Sequence, residues 1–263
     1  MWALLAAVCA VVALVAGCSE ATPEAPPPAA PTELRAEVLD TTPHDPNAFT
    51  QGLELVDGVL YEGTGLEGES TMRATDPDTG DVEKQTELPG DMFGEGITVV
   101  GDTIWQITWQ DGVAIRRDRA TLREEGRASY RGEGWGLCHD GEKLIMSDGS
   151  DRLTFRDPDT FAETGRTRVR DAEGQPVDQL NELECVDGVV YANVWRTDRI
   201  VRVDPRSGRV TATVDLAGLL PEEDRGGADV LNGIAAIPGT GEFLVTGKLW
   251  PTTFRVRFVT DHG

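Results

Sequence analysis

Five residues each stand directly before a Gly-Leu, Gly-Ile or Glu-Leu pair that opens an apolar run: Gln51, Glu95, Trp135, Asn181 and Asn232. The types are unusual for such a slot. A carboxylate can move a proton, amides can hold an amine or a carbonyl, and an indole can wall off water. A second set lies about 13–16 positions further on in each case, the reach of a short hairpin: Thr64, Trp109, Asp148, Trp195 and Lys248. Strand positions near an axis normally hold aliphatic side chains. Amides, a carboxylate, an amine and three tryptophans gathered in a concave mouth describe a binding site able to do acid/base chemistry. Lys248 adds to this, because Lys84, Lys143 and Lys248 are the only lysines among 24 basic residues. Arginine is the default base of the chain, and a compact ammonium at this slot suits a narrow site.

Other chemistries lack their parts. The histidines are His44, His139 and His262, and none belongs to either set, so Ser/His/Asp catalysis is not expected. There is no glycine-rich phosphate loop and no paired-cysteine motif.

The elements that must position these residues are hairpins. A strand, a tight turn containing Asp-Gly or a variant, and a second strand recur at 52–61, 96–105, 136–145, 182–191 and 233–245. Most copies are followed by a second hairpin with an Asp-led turn, as in Asp76-Pro77-Asp78-Thr79-Gly80 and Asp204-Pro205-Arg206-Ser207-Gly208. Asp caps such turns and Pro presets φ. Four strands recurring roughly every 40–50 residues is the spacing of propeller blades. The reading is an all-β, five-bladed β-propeller over 34–263. Its last unit is short of a strand, and the segment 34–40 is expected to supply it and close the ring. In that fold the first strand of each blade lines the axis, so both sets of residues converge at one mouth.

Ahead of the propeller, residues 1–17 form an apolar run with the length of a signal-peptide core. The ending Val15-Ala16-Gly17-Cys18 resembles a bacterial lipobox, with Cys18 the lipidated residue, although no Lys or Arg precedes the run. Residues 18–33 are rich in Pro and Ala and read as a tether. The expectation is therefore an exported lipoprotein of the periplasm or cell envelope, touching membrane only through its lipid. Cys138 and Cys185 would then face an oxidising compartment, where a disulfide between them is possible. The net charge of -22 disfavours nucleic acid and anionic lipid as partners and tolerates a cationic ligand such as a peptide ammonium.

The motifs that carry these residues resemble the plant and bacterial type of glutaminyl-peptide cyclotransferase. In order they are Phe49-Thr50-Gln51-Gly52-Leu53, Phe93-Gly94-Glu95-Gly96-Ile97, Thr108-Trp109, Gly134-Trp135-Gly136-Leu137, Leu180-Asn181-Glu182-Leu183-Glu184, Ala192-Asn193-Val194-Trp195 and Gly247-Lys248-Leu249-Trp250-Pro251. The resemblance implies an enzyme that closes an N-terminal glutamine of a peptide or protein into pyroglutamate, as a monomer, with no cofactor and no catalytic metal. It implies Glu95 as acid/base and Gln51, Asn181 and Lys248 as polar groups at the reacting amide. Trp109, Trp135, Trp195, Phe49 and Phe93 are the implied aromatic pocket, and Asn232 and Trp250 complete the expected substrate-binding surface. Two other readings are weighed beside it. A lactonase-like propeller would hold calcium on Glu95, Asn181 and Asn232, and a non-catalytic envelope lipoprotein would need no ordered polar pocket.

Overall fold

The computed structural model of the chain describes residues 30–260. The signal, lipidation and most of the tether expected from the sequence lie outside them. Strand β1 (Thr32–Pro43) begins slightly earlier than 34, and five groups of strands follow. The first is β2 (Thr50–Val56), β3 (Val59–Thr64), β4 (Thr71–Thr75) and β5 (Val82–Glu87). The second is β6 (Gly94–Val100), β7 (Thr103–Thr108), β8 (Val113–Asp118) and β9 (Glu124–Ser129). The third is β10 (Leu137–His139), β11 (Leu144–Ser147), β12 (Arg152–Arg156) and β13 (Glu163–Arg168). The fourth is β14 (Leu180–Val186), β15 (Val189–Val194), β16 (Arg199–Asp204) and β17 (Arg209–Asp215). The fifth is β18 (Leu231–Ile237), β19 (Glu242–Gly247) and β20 (Thr252–Thr260).

Within each group neighbouring strands pair antiparallel. The leading strands touch in the cycle β2, β6, β10, β14, β18 and back to β2, which closes a five-bladed propeller around one axis. The fifth blade has only three strands of its own, and β1 completes it by pairing antiparallel with β20 from Leu34–Thr260 to Pro43–Thr252. The start of β1 does something the sequence did not suggest. Thr32 to Arg35 also pair in parallel with Ala212 to Asp215 of β17, tying the fourth blade to the fifth.

Local chemistry explains the hairpins. Asp57-Gly58 and Asp187-Gly188 turn with φ positive at both residues (52° and 78°, 51° and 78°), as a type I′ hairpin requires. Asp76 Oδ1 accepts from the backbone N–H of Asp78 and Thr79 (2.8 and 2.9 Å), and Asp157 does the same for Asp159 and Thr160 (3.1 and 2.8 Å). Outer strands such as β5 and β9 are mostly exposed and polar, whereas β4 and β7 are buried almost throughout.

The core is not central but lies between blades. Met72 and Tyr61 pack on Ile97 and Ile104, Ile107 and Trp105 on Leu137 and Met146, and Ile145 and Leu153 on Leu183 and Val201. Tyr191 and Val214 meet Phe243 and Val256, and Leu53 meets Leu244 across the ring closure. Each fully buried Leu or Ile contributes about 1.5–3 kcal/mol by leaving water. The Cys138–Cys185 disulfide, left open by the sequence, joins β10 to β14 and so the third blade to the fourth.

At the axis the strands crowd. An added Cβ at Gly52 would come within 2.5 Å of Ile97 N, at Gly96 within 2.6 Å of Leu137 N, and at Gly136 within 2.1 Å of Asn181 O. The equivalent residue of the fourth blade is Glu182, and its side chain fills the space the glycines leave. Its two oxygens accept from Leu53 N (3.3 Å) and Ile234 N (2.8 Å), on the first and fifth blades. Backbone N–H groups on the inner edge of a blade have no ladder partner, and this carboxylate supplies one.

Candidate active site

In every blade but the third, a register shift falls at the residue preceding this crowded position. Pairing slips between Thr50 and Gly52, Gly94 and Ile97, Leu180 and Leu183, and Leu231 and Ile234. Such β-bulges re-aim side chains at strand starts. Gln51, Glu95, Asn181 and Asn232 all sit on these irregularities, which explains why polar residues occupy strand positions without entering a core.

The structure brings Phe49, Gln51, Phe93, Glu95, Trp109, Trp135, Asn181, Trp195 and Lys248 around one cleft of about 260 Å3. Drug-sized ligands need roughly 300–1,000 Å3, so this space suits a single amino-acid side chain. Rings make its wall. Phe49 meets Phe93 edge-on at 6.1 Å, Phe93 meets Trp109 at 5.7 Å, and Trp135 meets Trp195 at 5.3 Å. The Lys248 ammonium lies 4.6 Å from the centre of the Phe49 ring, a favourable cation–π distance.

Glu95 is buried on the floor, 5% exposed. A relay fixes it: Asn232 Nδ2 donates to Gln51 Oε1 (3.2 Å), and Gln51 Nε2 donates to Glu95 Oε1 (3.0 Å). Glu95 Oε2 has no protein hydrogen-bond partner, nor has Asn181 Oδ1. Burial drives the Glu95 carboxyl well above the usual carboxylate range; the Lys248 ammonium opposes this and the Glu133 carboxylate adds to it. Burial likewise lowers the Lys248 ammonium, against the pull of Glu95 and Asp229.

Four of the expected positions differ. Asn232 is fully buried and does not line the cleft; it also donates to Thr50 O (3.0 Å), so it serves to orient Gln51. Trp250 is also away from the cleft. Its ring lies against Gly247, its Nε1 donates to Asp229 O (2.8 Å), and its carbonyl accepts from His44 Nδ1 (2.7 Å). It shapes the turn that carries Lys248, where Leu249 takes a positive φ of 59°. In the second set, backbone pairing places Trp109 opposite Phe93, Trp195 opposite Gln179 and Lys248 opposite Val230. The residue opposite Phe49 is Gly65, one beyond Thr64. The missing side chain there leaves room for the Phe93 ring, which a Cβ would approach within 2.4 Å. Asp148 belongs to an adjacent surface cleft behind Trp135, where it pairs with Arg152.

Sequence reasoning missed Glu133. Its Oε2 accepts from both Trp109 Nε1 and Trp135 Nε1 at 2.9 Å, and its Oε1 accepts from Gln110 Nε2 at 3.0 Å. An acid flanked by Gly132 and Gly134 two residues before a pocket tryptophan was the available signal, but no spacing links it to Trp109. The calcium reading would need Glu95, Asn181 and Asn232 around one ion; Glu95 and Asn181 line the cleft and Asn232 does not.

The chain has relatives. The profile of the glutamine cyclotransferase family matches residues 8–258. A protein of Arabidopsis thaliana named glutaminyl-peptide cyclotransferase is 39% identical over 227 residues, covering 84% of this chain and 70% of its own. The crystal structure of Myxococcus xanthus glutaminyl cyclase superposes with a TM-score of 0.81 at 38% identity, over 88% of this chain and 99% of that one. Fold and sequence agree along nearly the whole propeller, and the chain belongs to the glutamine cyclotransferase family.

Proposed function

We propose that the protein is a glutaminyl-peptide cyclotransferase in which Glu95 moves the protons. The substrate is a peptide or protein with an N-terminal glutamine. Its α-amine attacks its own γ-carboxamide carbon; a C–N bond closes the lactam ring, the bond to the amide nitrogen breaks, and ammonia leaves. Nucleophile and electrophile are already tethered, so the work is to hold the folded-back conformer and transfer protons. The aromatic wall holds the conformer and excludes water.

The observation that carries this reading is the pairing of Glu95 Oε1 with Gln51 while Oε2 is buried, unpartnered and next to a cleft the size of one side chain. A carboxyl raised by burial is closer in basicity to an amine than an ordinary carboxylate is, so it is better suited to exchange a proton with it in either direction. As the ring closes, Glu95 takes the proton of the attacking amine and delivers one to the departing nitrogen. The tetrahedral carbon carries its charge on oxygen, and the Lys248 ammonium, held over Phe49, is the group suited to stabilise it. Asn181 Oδ1 is free to accept from the amine or the leaving amide.

The test is incubation of the purified protein with an N-terminal glutaminyl peptide, reading ammonia and the matching loss of mass. Release is expected. No release from any such peptide would remove the proposal. The protein is further proposed to be exported and held at the envelope through Cys18, which labelling with a radioactive fatty acid checks.

A further inference from the structure

The cyclotransferase site has a wall built in two pieces. Phe49, Phe93 and Trp109 form one arc, from the first and second blades, and Trp135 and Trp195 form the other, from the third and fourth. Among the described residues no aromatic ring joins Trp109 to Trp135. Glu133 stands there instead, with one oxygen 2.9 Å from both indole nitrogens.

We propose that Glu133 is a positioning residue: it clamps the two indoles into one wall and so sets the width of the slot in which the glutaminyl side chain folds back. This deepens, and rests on, the cyclotransferase reading. Three features support it. First, an indole rotates about two torsions, and Trp109 and Trp135 are each half-buried at the mouth, where packing alone fixes a ring poorly. A shared acceptor removes that freedom. Second, the clamp is itself anchored. Gly134 N donates to Trp109 O at 2.9 Å, and Gly134 admits no Cβ, because one would lie 2.4 Å from Tyr130 Oη. The connection between β9 and β10 therefore holds Glu133 from below while Gln110 Nε2 holds its second oxygen. Third, the group must be an anion to do this well. It receives three donors and offers none. Burial raises its carboxyl, but hydrogen bonds from Trp135, Gln110 and Trp109 outweigh that and keep it below the usual range, so it is ionised wherever the enzyme works.

The fixed charge has a second effect. Glu95 faces Lys248 and Glu133, and Glu133 also faces Asp148, while Lys248 also faces Asp229. Removing the Glu133 anion leaves Lys248 as the charge opposite Glu95, and the Glu95 carboxyl must fall.

Three variants separate the clamp from general stability. Glu133→Ala loses both indole bonds; kcat/KM for a glutaminyl peptide is expected to fall by about 10²-fold, the usual consequence of a misplaced substrate, with an altered near-ultraviolet circular dichroism in the tryptophan bands. Glu133→Asp keeps the charge but is one methylene short of reaching both indoles, and a loss close to that of Glu133→Ala is expected. Glu133→Gln keeps one acceptor oxygen for the indoles and lacks the charge. It is expected to keep several-fold more kcat/KM than Glu133→Ala near neutral pH without reaching that of the unsubstituted protein, while the limb of its pH profile belonging to Glu95 moves to lower pH. A merely structural role would not move that limb. The proposal is overturned if Glu133→Ala keeps kcat/KM within about twofold, or if its tryptophan spectrum matches that of the unsubstituted protein. If the unsubstituted protein released no ammonia, the cyclotransferase reading would fail by itself, and the spectrum of Glu133→Ala would still decide the clamp.

Discussion

The axis of this propeller holds carboxylates at two levels, all buried except the half-buried Glu54, and they differ in what their oxygens do. At the mouth, Glu95 has one oxygen held by Gln51 and the other unpartnered beside a cleft. Deeper in, Glu54, Glu182 and Glu184 accept from backbone N–H groups of neighbouring blades: Val99 (2.7 Å) for Glu54, Leu53 and Ile234 for Glu182, and Ala236 (3.0 Å) for Glu184. Burial raises the carboxyl at every one of the four, to about 7 for Glu54. A raised pKa thus marks burial, not catalysis. What separates a reagent from a strut is whether an oxygen is left over and whether a substrate can reach it.

The sharpest way to break this contrast is to exchange Glu95 and Glu182 in parallel. Glu95→Gln should lower kcat by at least about 10²-fold, the scale of a lost acid/base group, at an unchanged melting temperature. Glu182→Ala should do the reverse in kind. It orphans two buried N–H groups at about 1–3 kcal/mol each, which for a domain of this size lowers Tm on the order of 10 °C. Near-normal turnover in Glu95→Gln, or an unshifted Tm in Glu182→Ala, would erase the distinction. Removing the disulfide with Cys138→Ser and Cys185→Ser together, 47 positions apart in the chain, should cost about 2–4 kcal/mol in urea unfolding while sparing the cleft.

The deep cluster also predicts how stability responds to pH. A carboxyl raised on folding stabilises the fold below its unfolded pKa, and that stabilisation is lost as pH rises through the folded value. Glu54, Glu182 and Glu184 all act in this sense, and so does His44. Burial lowers the His44 ring, but Glu62, at 3.0 Å, and the Trp250 carbonyl raise it further. Carboxyls lowered on folding, such as Asp45 and Asp118, act only under about pH 4. Tm should therefore be higher at pH 5 than at pH 8; the opposite order would mean the deep carboxylates are not buried as described. The smallest expected effect is none: a chelator should leave turnover unchanged, and inactivation by it would point to different chemistry.

Much of the site could be read from the chain. Five polar or aromatic residues in one repeat position, each followed by a residue that crowds the axis, located Gln51, Glu95, Trp135 and Asn181 on the cleft. Hairpin length then placed Trp109, Trp195 and Lys248 beside them. The same logic misplaced Thr64 by one residue, because a hairpin reach of about 13–16 positions is too coarse to choose between Thr64 and Gly65, and only the backbone pairing with Phe49 does so. It overstated Asn232, because a repeat position specifies a height along the axis and not which neighbour a side chain meets, and Trp250, expected from the motif around Lys248, packs on Gly247 instead.

The sequence by itself determined the five hairpin units, their turns and the strand that completes the last blade, because alternation, Asp-Gly turns and Asp caps are local and act over a few residues. Only the tertiary structure decided that Glu133 joins two tryptophans, that Glu182 fills an axis vacated by glycines, and that the start of β1 also pairs with β17. Those depend on groups far apart in the chain meeting within about 3 Å, where hydrogen bonding is strong, and no pattern along a single strand encodes that distance.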